Sequence, residues 1–336
     1  MSPTVCLVIP ARNAARTLRP CLTAAVTILD QGQLARIIVV DDGSTDETAG
    51  IAAEFPVTCL RSPPSGRSGA RNLGWRTCSE EIIWFTDADC VAEPDALRHL
   101  LSPFEDPDVG GVGGSFSMPN GGPLVSRLIH EEIIQRHRAM PTRINFVATG
   151  NAAYRRTALE QVGGFDERFA RAQDADLAYR VRAAGFELAF ARDSRVMHFH
   201  STRLSPYLRT QAHQGYWRVW LHLRHTGSAA GDSYSGFVDH LQPPLAVLLL
   251  ASLPTLAWPA TRIVAPVLVL LLGLAQVPYT ARLVRRTRSR KYLAYAPMSF
   301  LRAFARGIGM TAGVVAHLAS RLKRNRSDAE SPAGPL

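Results

Sequence analysis

The 336-residue sequence predicts an α/β fold, a mostly parallel sheet flanked by helices, followed by helices suited to a membrane. Three observations predict it. Short apolar runs alternate with helical stretches over the first half; acidic residues recur where those runs end; and two long apolar segments followed by a basic cluster occupy the last third.

The first run, VCLVIP (5–10), is apolar throughout, as expected of a strand covered on both faces. Its start, MSPTVCLVIPAR, has no basic segment and too short an apolar run for a signal peptide, so a strand is the expected structure. Residues 14–29 read as a helix and RIIVVDD (36–42) as a second buried strand. STDETAGIAAEF should open a helix with Ser44 or Thr45 as its cap and acids in its first turn. VTCL, the loop and helix of PPSGRSGARNLGW, and EIIWFTD continue the alternation. The Gly-rich stretch 109–124 has no assignable periodicity. A polar helix around 127–138, the segment NFVATGNAAYRR, and a helix from about Asp174 to Gly185 follow.

Beyond His200 the character changes. Residues 204–225 place Leu204, Tyr207, Leu208, Ala212, Tyr216 and Val219 on one stripe, which suits a membrane interface or a helix packed on the domain before it. Residues 244–258 and 263–280 are strongly apolar, slightly short for a span of about 20 residues, with Pro254 and Pro266 bending them. A membrane-inserted hairpin is favoured over buried soluble helices. ARLVRRTRSRK then follows the positive-inside rule, which would put both ends of the hairpin in the cytoplasm. A last amphipathic or apolar helix over 300–320 precedes a tail, RSDAESPAGPL, expected to be disordered.

The net charge of +10 raises the question of nucleic acid, but its distribution excludes that reading. Twelve of the 38 Lys and Arg lie between Arg282 and Arg326; up to Ala281, 26 basic residues face 26 acidic ones. A basic tail on a neutral body suits an anionic membrane surface. The five cysteines show no metal-like spacing and are expected to be reduced thiols.

Two strand ends, VVDDGS and FTDADC, place Asp41, Asp42, Asp87 and Asp89 where ligands bind in parallel sheets. Asp87 and Asp89, one residue apart, would repel unless a cation relieved them, most simply a divalent metal. Asp41 and Asp42 offer acceptors for a base or ribose, or else cap a helix. Arg71 of SGARN offers a fork for a diphosphate or base edge. Asp174 of QDAD, at a helix start, suits a general base.

In order along the chain, VIPARN, VVDDGSTDET, GARNLG, FTDADC, ATGNAAYRR, VGGFDERF and QDADLAYRVRAAG resemble the family 2 glycosyltransferases of GT-A fold, a Rossmann-like class that moves a sugar from a nucleotide donor. The resemblance, which runs from Val5 to about His200, implies a catalytic domain over 1–203; hydropathy and charge divide the rest into an amphipathic interfacial or linker region over 204–240, a transmembrane or membrane-inserted hairpin over 241–281, a basic segment with an amphipathic helix over 282–326 and a tail over 327–336. It implies Pro10 and Arg12 at the nucleotide pocket, Asp42 on the base, and Asp87 near ribose and metal. Asp89, with His198 and more weakly His200, would hold Mg2+ or Mn2+; Thr149, Gly150, Asn151 and Gln173 would border the sugar or acceptor, and Asp174 would act as base. The implied activity is inverting, metal-dependent transfer from a nucleotide-sugar, UDP-linked first; the hairpin and its basic cluster point to a lipid, lipid-linked or small-molecule acceptor at the cell membrane, with a cytoplasmic catalytic domain. Gln173 departs from the family, which has Glu there; losing that charge should lower the pKa of Asp174 relative to a two-acid arrangement. QGYWR (214–218) only loosely echoes the signature of processive synthases, so a single addition is expected. Two alternatives remain: a nucleotidyltransferase, which usually needs a Gly-rich loop that IPARNAARTL lacks, and a membrane-attached scaffold without turnover.

Overall fold

A computed structural model describes residues 3–119, 122–226 and 233–330, with side chains to 322. The chain divides into two compact units, one formed by the chain up to Thr202 with Ser233–Ser235, the other from Arg203 onward.

The first unit runs β1 (Val5–Ala11), α1 (Ala15–Asp30), β2 (Arg36–Asp42), α2 (Thr48–Ala53), β3 (Thr58–Ser62), α3 (Gly66–Thr77), β4 (Ile82–Thr86), β5 (Cys90–Ala92) and α4 (Ala96–Leu101). It continues through β6 (Val109–Ser117), α5 (Leu124–Ala139), β7 (Arg143–Ile144), β8 (Asn151–Arg155), α6 (Arg156–Val162), α7 (Gln173–Ala183) and β9 (Glu187–His198). The strands form one sheet in the order β3-β2-β1-β4-β8-β6-β9-β5, with β7 on β9. β3, β2, β1 and β4 are parallel, whereas β8 runs antiparallel to β4 and β6, so the sheet is mixed rather than mostly parallel.

Alternation along each strand builds two cores. Leu7, Ile9, Val39 and Trp84 face Leu18 and Leu22 of α1; Val8, Ile38, Ile83 and Phe85 face Trp75 of α3 and Leu177 of α7. This two-sided burial is why the strands read as unbroken apolar runs, each large side chain contributing about 1.5–3 kcal/mol. The Gly-rich stretch that defied assignment contains β6. A side chain at Gly114 would put a Cβ 2.0 Å from Asn151 Nδ2, so glycine admits the Asn151 amide beneath the strand.

Two local expectations are corrected. α2 starts at Thr48, not behind Ser44 or Thr45. Those residues instead lock onto Asn13, whose amide donates to Ser44 Oγ and whose Oδ1 accepts from the Thr45 amide, each at 2.9 Å. Cys6 and Cys78, expected as reduced thiols, are joined by a disulfide, because β1 and α3 pack together and bring their Cα atoms to 6.3 Å across 72 residues. Cys21, Cys59 and Cys90 are free.

The second unit contains α8 (Leu204–Arg224), α9 (Phe237–Ser252), α10 (Val264–Leu274), α11 (Val277–Thr287) and α12 (Tyr295–Glu330). The α8 face carrying Ala212, Tyr216 and Val219 packs on α12 through small residues. A Cβ on Gly309 would lie 1.9 Å from the Ala212 carbonyl oxygen, and one on Gly215 2.2 Å from that of Arg306. α12 continues through Glu330, past the point where the tail was expected to lose structure; residues 331–336 lie outside the described residues. By length and composition, Phe237–Ala257 and Val264–Thr287 are each apolar enough to cross a membrane, and only 28% and 22% of their most apolar windows are buried.

Candidate active site

β1, β2 and β4 are parallel and in register, Pro10 beside Val40 and Val8 beside Phe85, so their carboxyl ends open on the same edge of the sheet. There a cavity of about 470 Å3 is lined by Pro10, Arg12, Asp42, Asp87 and Asp89 among others. Five residues expected at a nucleotide or metal site are thus gathered from three strand ends.

Each carboxylate has its own partner. Asp42 accepts from the Ser65 amide and hydroxyl and from the Gly66 amide, satisfying orphan donors at the start of α3; Arg12 lies 3.8 Å away. Both readings of this acid, ligand acceptor and helix cap, therefore meet in one side chain. Asp87 accepts from Arg71 Nη2 at 2.5 Å. Burial works against its ionisation, but Arg71, Arg67 and His198 outweigh burial and hold its carboxyl below the ordinary range. Asp89 Oδ2 faces His198 Nε2 at 3.6 Å. Burial disfavours the His198 imidazolium, yet Asp89 and Asp87 hold its pKa above the ordinary value. β4 ends at Thr86, and Asp87 to Asp89 form a turn closed by the Cys90 amide donating to the Asp87 carbonyl. Asp87 turns to Arg71 and Asp89 to His198, so the two carboxylates serve different neighbours.

Asp174 lies in the first turn of α7, its Oδ1 accepting the Ala175 amide at 2.9 Å. Burial raises its pKa, opposed by that hydrogen bond and by Arg71 and reinforced by Asp87. Burial is the largest cause of the rise and Asp87 a smaller one; the adjacent side chain adds no charge, being Gln173, whose Oε1 has no hydrogen-bond partner among the described residues. Ala172 holds left-handed backbone (φ 61°) immediately before α7, strain of the kind found where the chain must present a side chain.

Several expected residues serve the scaffold. Asp41 does not line the cavity; it accepts from the Ser44 amide and faces Arg61. Arg71, expected to meet a ligand directly, is 1% exposed and reaches the cavity only through Asp87. Asn151 is fully buried, accepting from Trp84 Nε1 and donating to Ser115 and Ser194, and Thr149 is buried. Gly150 passes close behind the site: a Cβ there would lie 3.6 Å from Asp87 Oδ2 and 3.1 Å from Phe116. His200 pairs with His130 at 3.3 Å, and burial lowers its pKa to about 2. Conversely, Asn13, Gly66, Arg67 and Arg171 line the cavity without having been singled out. Arg67 precedes Arg71 by one helical turn, a spacing that offered the signal.

Among the described residues, Asp89, Cys90 and His198 each offer an atom within 4.8 Å of the others. Burial, with Asp87 and Asp89, keeps the Cys90 thiol protonated, leaving one carboxylate oxygen and one imidazole nitrogen as donors. That set fits Mg2+ or Mn2+, which retain positions for water and phosphate oxygens.

An acid-lined cavity at the carboxyl ends of β1, β2 and β4 in this mixed sheet defines a GT-A fold. The architecture is shared with a mannosyltransferase from Pyrobaculum calidifontis solved with GDP-Man and Mn2+, at a TM-score of 0.60 and 21% identity over 93% of this chain and 88% of that one. Residues 6–163 match the model of glycosyl transferase family 2, so the first unit carries a domain of that family. It is 31% identical over 243 residues to a pre-mycofactocin glycosyltransferase of Mycobacterium tuberculosis, covering 69% of this chain and 50% of the relative. It is 27% identical over 261 residues to an O-antigen chain rhamnosyltransferase of Salmonella anatum, covering 71% and 81%. The chain thus spans about half the length of the first of these relatives.

Proposed function

We propose that the chain is an inverting, metal-dependent transferase that moves a sugar from a nucleotide-sugar, a UDP-sugar first among candidates, to the hydroxyl of a lipid or lipid-linked acceptor at the cytoplasmic face of the cell membrane. The observation that carries this reading is the convergence of Asp42, Asp87 and Asp89 from two strand ends on one cavity, with Asp174 close enough to sense both Asp87 and Arg71. Pro10, Arg12 and Asp42 border the base and ribose. Asp89 and His198 would hold Mg2+ or Mn2+, which when bound neutralises charge on the departing diphosphate. Arg71, itself out of reach, fixes Asp87 and keeps it ionised. Asp174 takes the proton of the acceptor hydroxyl as its oxygen attacks the anomeric carbon opposite the leaving group. A single displacement of this kind inverts the configuration. Gln173 leaves Asp174 as the one carboxylate of its pair, which supports its assignment as base. The apolar second unit supports a membrane-borne acceptor.

The test is release of nucleoside diphosphate by the detergent-solubilised protein from UDP-, GDP- and dTDP-sugars, with Mn2+ and membrane lipid extract. One donor should be consumed, and release should fall about 10²–10⁴-fold in Asp174→Asn, the range lost with a general base. Release that persists in both Asp174→Asn and Asp89→Ala would overturn the assignment.

A further inference from the structure

We infer that Arg67 and Arg171 form an anion site in the same cavity that takes a phosphate group carried by the acceptor. The inference rests on the transferase reading and narrows its acceptor to a phosphate-bearing one.

Both arginines line the cavity. Its carboxylates are matched by other cations: Asp42 by Arg12, Asp87 by Arg71 and Asp89 by His198. Neither Arg67 nor Arg171 makes an ion pair or a hydrogen bond among the described residues, although Arg12, Arg19, Arg36 and Arg61 in the same unit all do. The two lie near enough to repel: burial first, and then Arg67, depress the pKa of Arg171, while Asp174 and Asp87 draw it back only in part. Two guanidiniums at one cavity wall, neither held in an ion pair of its own and with Asp87 already paired to Arg71, are complementary to an anion. Guanidinium forks match phosphate oxygens in particular. Arg67 also lies in the first turn of the twelve-residue helix α3, where the helix field favours negative charge.

Chain order identifies the bearer of the phosphate. The donor diphosphate belongs with the metal position at Asp89 and His198. Arg171 instead precedes the base Asp174 by three residues, across the left-handed Ala172 that begins α7. A base must lie within hydrogen-bond reach of the attacking hydroxyl. A phosphate on Arg171 therefore sits beside the attacking group of the acceptor. The neutral Gln173 adds no carboxylate to repel it.

The experiment is calorimetric titration of full-length protein, saturated with Mn2+ and the nucleoside diphosphate selected by the donor panel, with decyl phosphate, inorganic phosphate and decanol. Decyl phosphate should bind one to one and decanol should not. Arg171→Gln and Arg67→Gln should each weaken decyl phosphate about ten- to hundredfold, the loss expected for hydrogen bonds to a charged group, with unchanged melting temperature, and Arg171→Gln should leave nucleotide affinity unchanged. Inorganic phosphate binding with the same dependence on both arginines would show that the phosphate group alone is read; decyl phosphate binding alone would show that its lipid chain is needed as well. Either result supports the site. Failure of decyl phosphate to bind, or binding that survives both substitutions, overturns the inference. So does a comparable loss of nucleotide affinity in Arg171→Gln, which would assign the pair to the donor. If no nucleoside diphosphate binds, the transferase reading fails, and the same titration of nucleotide-free protein still tests the arginine pair.

Discussion

The two units are built with opposite polarity. In the first, Leu7, Ile9, Ile38 and Trp84 are buried and the charges collect at one edge of the sheet, where Asp42, Asp87 and Asp89 face a cavity. In the second, Leu248, Val269, Leu270 and Leu274 are exposed, while Arg302 is buried against Tyr295 and Ser299. Water explains the first arrangement; the membrane proposed above would explain the second. The same residue types thus carry opposite meaning in the two parts: an exposed acid marks chemistry in one, and an exposed leucine marks the expected solvent in the other.

The sharpest way to break this comparison is within the first unit, between two neighbouring acids. Asp87→Ala leaves the buried Arg71 without its carboxylate and should lower unfolding free energy by about 3–5 kcal/mol. Asp89→Ala, whose carboxylate is more open, should stay within about 0.5 kcal/mol of wild type. Chemical denaturation of both variants decides this; equal stabilities would mean that Arg71 and Asp87 are not the unit described. In the second unit, Leu270→Arg puts a charge on an exposed apolar face and should cost about 2.5–3.5 kcal/mol of insertion if α10 lies in a bilayer. Alkaline extraction of membranes should then release more of the variant. Unchanged or improved behaviour of a fully soluble protein would return these helices to water.

The smallest effect concerns Asp174. Its folded pKa is raised, so its contribution to stability is present below the unfolded carboxylate value of about 3.9 and is lost as pH rises through the folded value. Asp174→Asn should consequently melt higher than wild type at neutral pH, and the gap should close as pH falls toward 4. For turnover the sign reverses. The base is competent only when ionised, so activity should rise with pH along a limb displaced above the ordinary carboxylate range.

Much of this was legible in the sequence for a physical reason. β1, β2 and β4 are covered on both faces and read as apolar runs, and acids directly after such runs fall at the ligand-binding edge. β6 was not legible because its glycines answer to the Asn151 amide and neighbouring rings, a constraint that lies 37 residues away for Gly114. Local sequence likewise did not separate Asp41 from Asp42. Adjacent on one strand, they point to opposite faces, so one holds a turn and the other a helix start beside the cavity. Arg71 reads in the sequence as a direct ligand contact, because its burial behind Asp87 depends on α3 packing over β1. Arg67 and Arg171 escaped notice because an arginine on a surface is usually solvated, and only the pairing of the nearby acids shows that these two are left over.

The central claim is a division of labour, with Asp89 at the cavity serving the donor and Asp174 at the start of α7 serving the acceptor. Calorimetric binding of nucleoside diphosphates with and without Mn2+ tests it most directly. One nucleotide should bind wild type and Asp174→Asn alike in the presence of Mn2+, and should lose most of its affinity without the ion or in Asp89→Ala. Binding that ignores Mn2+, or that survives Asp89→Ala but fails in Asp174→Asn, would contradict the account.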